Sequence, residues 1–148
     1  MRLVIELARE RGRVFNPSGL LAYAILIAGT ILAGGLGSIA RLTLSHWHGK
    51  LPWGILVGNS VASMLVGFGF SMQASNLTAG LVVTSLAVPI LSLGLAGGLS
   101  TFSSWAAQTV HYYRQGDNRL GTYNLLLNLV GPVACAILGV LLGGLLLK

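Results

Sequence analysis

Two long stretches of the chain carry no formal charge. One runs from Leu51 to Tyr113 and the other from Leu120 to Leu147; neither contains Asp, Glu, Lys or Arg. A third apolar run, residues 20–44, holds its only charge, Arg41, near its end. An apolar run longer than roughly 18 residues reads as a membrane span. The pattern predicts an all-α integral membrane protein with four transmembrane helices, at residues 20–44, 53–72, 80–113 and 121–147. Polar connections are expected at 45–52 and 111–120, the second turning at Gly116, Asp117 and Asn118, with a loop at 71–79.

Within the spans, small and polar residues recur every three or four positions. In the first, Gly29, Ala33 and Gly37 form a stripe that permits close helix contact, and the next step of four lands on Arg41. Arg41 either snorkels to the headgroups or faces protein or an aqueous vestibule, where it would attract anions. In the second, Asn59, Ser63 and Gly67 are spaced by four. An amide in a bilayer is costly unless hydrogen-bonded. Asn59 is therefore either glue between helices, contributing about 0.6–2 kcal/mol, or a donor to a passing ligand. In the fourth, Asn124, Asn128, Pro132, Cys135, Gly139 and Gly143 share one narrow face, polar at one end.

The third segment is too long for one straight span. Pro89 can kink its first half. The stretch from Gly94 to Trp105 then brings three glycines, four hydroxyls and two aromatics, a poor recipe for continuous helix. We expect the helix to be broken mid-membrane over residues 97–105, its freed backbone lining a polar site. Phe102 and Trp105, three apart, would point their rings to one side when the helix resumes.

Composition supports this picture. The 148 residues are 54% hydrophobic and 8% charged, too little charge to cover a soluble domain. The net charge of +6 flanks the spans and does not read as a nucleic-acid surface. Residues 1–19 form a basic leader, either a short surface helix or a frayed tail; residues 20–148 form the membrane domain. Both termini fall on one side, with Arg2, Arg9, Arg11, Arg13 and Lys148. The other side has Lys50, Arg114 and Arg119, plus Arg41 if counted. That is a mild preference for cytoplasmic termini. The lone Cys135 permits no intrachain disulfide. His46 and His48 lie two apart without a nearby carboxylate or cysteine, so they read as loop histidines. No internal repeat is evident.

The acids decide what chemistry is possible. Glu6, Glu10 and Asp117 are the only ones, and all lie outside the spans. A proton-coupled exporter generally needs a titrating group inside the membrane. No catalytic constellation or phosphate loop is apparent either, which weakens enzyme and pump readings alike. What remains inside is neutral donors: asparagine amides, hydroxyls, backbone N–H groups and the positive edges of aromatic rings. Such a lining suits a small anion that must bind weakly enough to leave.

These residues resemble the CrcB/Fluc family of fluoride channels. The segment Gly34-Gly35-Leu36-Gly37-Ser38-Ile39-Ala40-Arg41 resembles its first-helix motif, and Gly54-Ile55-Leu56-Val57-Gly58-Asn59 its second. The run from Gly94 to Ser103 resembles the third-helix signature, and Asn124, Asn128 and Gly131 the fourth-helix polar positions. The resemblance implies an antiparallel, dual-topology dimer in the cell membrane with two fluoride pores, passing fluoride passively and conferring resistance. Some members pair two diverged subunits, so the partner is a second copy or a homologous chain. It implies that Asn59 hydrogen-bonds fluoride and Phe102 offers a ring edge. Thr101, Ser103, Trp105, Asn124 and Asn128 would complete the lining of the fluoride pathway, with Arg41 near the pore entrance. A structural Na+ would be held by the backbone carbonyls of Gly97 and Ser100. Trp105 stands where the family's second phenylalanine is usual; an indole is larger and its N–H can donate. Two rivals stand beside the channel: a small dual-topology multidrug-type exporter and a non-conducting partner subunit.

Overall fold

The structure, a computed structural model, describes residues 17–47, 49, 51–74 and 82–146. Residues 1–16 of the expected basic leader, His48, Lys50, the end of the 71–79 loop and residues 147–148 fall outside them, while residues 17–19, expected in the leader, already belong to the first helix. Among the described residues, four spans are long and apolar enough to cross a membrane: Gly19–Ser45, Trp53–Ala74, Leu86–Arg114 and Asn118–Leu146. Helix α1 is Pro17–Ser45 and α2 is Trp53–Ala74. The third span is composite. Helix α3, Val82–Pro89, passes into a π-helical turn, Ile90–Leu95, and then a single turn α4, Ala96–Leu99. After a break it resumes as α5, Phe102–Arg114, and α6, Asn118–Leu146, completes the chain.

Glycines set the packing by letting backbones touch. On α2 and α6, a Cβ at Gly67 would strike the Ala136 carbonyl, and one at Gly139 the Met64 carbonyl. Gly143 likewise meets Ser71. These contacts climb both helices together, so α2 and α6 run parallel. Helix α1 pairs in the same way with the first half of the third span, through Gly29 on Ile90, Gly94 on Thr30 and Ala33, and Gly37 on Leu95 and Leu99. The stripe expected at Gly29, Ala33 and Gly37 is this interface. Ala62, Ala96 and Leu99 form the small apolar core where the two pairs meet. Gly139→Ala is expected to destabilise the fold by about 1–3 kcal/mol, because neither backbone can retreat; a lowered thermal midpoint in detergent checks it.

Three expectations are corrected. The helix break is shorter than residues 97–105: only Ser100 and Thr101 leave helical geometry, with φ/ψ of −74°/152° and −152°/116°. Gly97 and Gly98 remain in α4. At Gly98 a Cβ would meet the Gly34 backbone, so that glycine serves close approach and not the break. Residues 71–74, expected in a loop, continue α2. The second polar connection is only 115–117. Gly116, at φ 79°, ends α5: its N–H donates to the Tyr113 carbonyl and that of Asp117 to the Tyr112 carbonyl. Asp117 then caps α6, its Oδ1 accepting the Leu120 N–H at 3.2 Å.

At Pro89 the missing N–H removes one helical hydrogen bond, and the chain widens into the π-helical turn directly after it. Ser92 Oγ donates to the Val88 carbonyl there, at 2.8 Å.

Candidate functional site

The break leaves backbone groups that must find partners. Asn59, on the facing side of α2, supplies them. Its Oδ1 accepts the Thr101 N–H at 2.8 Å and its Nδ2 donates to the Thr101 carbonyl at 3.3 Å. The amide thus clamps both faces of one extended residue. Thr101 in turn caps α5: its Oγ1 accepts the Ser104 N–H at 3.3 Å and donates to Ser104 Oγ at 3.0 Å. Ser103 Oγ lies 3.5 Å from the same hydroxyl.

From Asn59 a row of amides runs along α6. Asn59 Nδ2 donates to Asn128 Oδ1 at 3.3 Å. Asn128 Nδ2 donates to Asn124 Oδ1 at 3.1 Å and to the Asn124 carbonyl at 3.2 Å. Asn124 Nδ2 donates to Thr109 Oγ1 at 2.8 Å, and Thr109 to the Trp105 carbonyl at 2.9 Å. Among the described residues, five buried side chains are polar: Asn59, Thr101, Thr109, Asn124 and Asn128. Among the described residues the largest fully buried side chain is an asparagine, Asn124, only 1% exposed.

Beside the row lies an open cleft of 220 Å³, walled by Asn59, Ser63, Ser100, Thr101, Phe102, Trp105, Asn128 and Pro132. The Phe102 ring, 75% exposed, stands at its rim and meets Trp105 edge to face, centroids 5.1 Å apart at 80°. The two rings point to one side, as their spacing of three suggests. Trp105 spends its indole N–H on the Asn124 carbonyl at 3.1 Å. Arg41 faces the break: its Nη1 donates to the Ser100 carbonyl at 3.4 Å, a long bond between part-buried partners.

The structure brings together Asn59, Thr101, Phe102, Ser103, Trp105, Asn124 and Asn128. Ser100 lines the same cleft at the break, Arg41 reaches the Ser100 carbonyl, and Gly97 lies on the exposed face of α4 with open space beside it. Thr109 was not legible as a member of the row, because a helical threonine bonded to its own i−4 carbonyl looks the same in any span. Gln108 was also missed; its Oε1 is buried without a hydrogen-bond partner, the one such side-chain atom found among the described residues.

A four-span membrane protein with a broken third helix and an uncharged polar row beside the break defines a class of small multi-pass membrane proteins. Residues 28–140 match the family model described as CrcB-like protein, Camphor Resistance (CrcB). The chain belongs to the CrcB family. It is 35% identical over 118 residues to a protein of Opitutus terrae named fluoride-specific ion channel FluC, covering 76% of this chain and 84% of that one. Proteins of the same name are similar in Pyrococcus abyssi, 33% identical over 76% of this chain and 90% of its own, and in Magnetococcus marinus, 31% identical over 81% and 98%.

Proposed function

We propose that this chain is the subunit of a fluoride-selective channel that lets cytoplasmic fluoride leave the cell passively. Hydrogen fluoride crosses membranes as the neutral acid and dissociates inside, so an exit for the anion protects the cell. The observation that carries the reading is the cleft: neutral donors converge on it, and Asp117, the one acid among the described residues, lies outside the spans. That lining also argues against a proton-coupled exporter.

The Asn59 amide hydrogens make two long bonds, each 3.3 Å, to neutral acceptors. A fluoride ion in the cleft competes for them with a full charge, and charge-assisted bonds are the stronger kind. The Phe102 ring edge and the Thr101 and Ser103 hydroxyls add weak positive potential at the rim. Asn128 and Asn124 extend the donors along α6. Arg41 raises the positive potential behind the break without entering the cleft. Neutral donors hold the ion weakly enough to release it, as conduction requires.

A second copy, or a homologous chain, completes the assembly as an antiparallel dimer. Support comes from α5, which exposes Ser103, Ser104 and His111 although it lies within a span. Lipid is a poor cover for such a face. The weak charge asymmetry suits insertion in both orientations.

The residues fit a structural sodium. In a continuous helix the Thr101 N–H would go to the Gly97 carbonyl; here it goes to Asn59, which frees the Gly97 oxygen. The Ser100 carbonyl already faces a cation, the Arg41 guanidinium. Backbone carbonyls are suitable ligands for a hard cation, and a second chain would double their number. When bound, the ion would fix the break by charge alone.

Reconstitution of the protein alone in liposomes, with fluoride efflux followed by a selective electrode, tests the function. Efflux well above empty vesicles is expected. Efflux only when a homologous chain is added would place this chain in a heterodimer, and none in either case would overturn the channel.

A further inference from the structure

Trp105 is tied more tightly than a pore-lining ring requires. Its indole Nε1–H donates to the Asn124 carbonyl at 3.1 Å, and its own carbonyl accepts the Thr109 hydroxyl at 2.9 Å. Thr109 Oγ1 accepts Asn124 Nδ2 at 2.8 Å. Trp105, Thr109 and Asn124 therefore close a ring of three hydrogen bonds between α5 and α6. A phenylalanine at 105 could not close it, because it has no donor.

The ring stands at the end of the amide row. Every side-chain donor in the row points the same way, from Asn59 through Asn128 and Asn124 to Thr109 and the Trp105 carbonyl. Fixing the last acceptor orients each amide before it. A loosened Asn124 could turn its oxygen where its nitrogen now lies, and Asn128 would have to follow.

We infer that Trp105 is a positioning residue: with Thr109 it locks the far end of the amide row and so fixes which amide hydrogens face the cleft. Its indole N–H is committed to Asn124 and does not bind the anion. Phe102, whose ring is exposed, presents the free aromatic edge. The inference rests on the anion role proposed for the row, and it explains why an indole replaces the family's usual phenylalanine.

A double-mutant cycle tests it, read as the half-saturating fluoride concentration for efflux from liposomes. Trp105→Phe removes one ring bond and Thr109→Val removes two, and each is expected to raise that concentration about fivefold. The double variant is expected to be no worse than the poorer single, because both act through Asn124. Thr109→Ser, which keeps the hydroxyl, is expected to match wild type. Multiplying effects, about 25-fold in the double variant, would overturn the ring, as would no change in either single.

A second measurement does not depend on transport. In fluoride-free detergent the Trp105 indole N–H is expected to exchange slowly with deuterium in wild type and Thr109→Ser, and faster in Thr109→Val. Unchanged exchange in Thr109→Val would overturn the inference. A wild-type protein that passes no fluoride would sink the channel reading alone, and the exchange rates would still judge the ring.

Discussion

Asn59→Ala is expected to give the largest loss of any single substitution in the cleft, lowering fluoride efflux by about 10- to 100-fold. Two effects combine. The variant removes two amide hydrogens from the proposed anion path, and it strands the Thr101 N–H and carbonyl that Asn59 clamps. Each stranded buried group costs about 1–3 kcal/mol, so the thermal midpoint should fall as well. Asn59→Asp separates the two. Its carboxylate still accepts the Thr101 N–H but donates nothing and repels an anion. Efflux should fall at least as far as in Asn59→Ala, and the thermal midpoint should fall as well, because the buried carboxylate faces two acceptors, the Thr101 carbonyl and Asn128 Oδ1. Efflux retained in Asn59→Asp would mean that Asn59 serves only the break.

Phe102→Ala is expected to lower efflux by about tenfold with little change in the fold. The ring is 75% exposed in the single chain and packs chiefly on Trp105, so its removal leaves no cavity in the subunit core. Phe102→Tyr keeps the ring edge and should retain most of the flux; Phe102→Leu, apolar but without a ring, should not. Equal flux in the leucine and tyrosine variants would show that the position needs bulk and not an aromatic edge. Efflux rates per reconstituted protein, with elution volume as the check on assembly, read both.

The spans were legible because charge-free runs and small-residue stripes report the bilayer directly. Gly29, Ala33 and Gly37 could be read as a contact face, and they are one. Asn59, Asn124 and Asn128 stood out because an amide among leucines and valines must bond to something. Their partners were not legible. That Asn59 holds the backbone of Thr101 depends on how α2 faces the break, a long-range fact of packing. Gly97 and Gly98 misled for a physical reason: glycine weakens a helix, but it also lets two backbones touch, and the second use prevails at Gly98 against Gly34. Arg41 had two open readings, and its place at the Ser100 carbonyl follows from the same close packing of α1 on α4.

This geometry ties the break to the cleft. The residue that releases the helix, Thr101, is held by Asn59, the first amide of the row, so disturbing either should disturb both. Neutral donors throughout also mean that no proton need move with the ion. Current through a planar bilayer, recorded with unequal fluoride on the two sides and chloride balanced, tests that claim most directly. The account predicts a current that reverses at the fluoride equilibrium potential and does not shift when a pH gradient is imposed. A reversal that follows chloride, or a flux that requires the pH gradient, would contradict it.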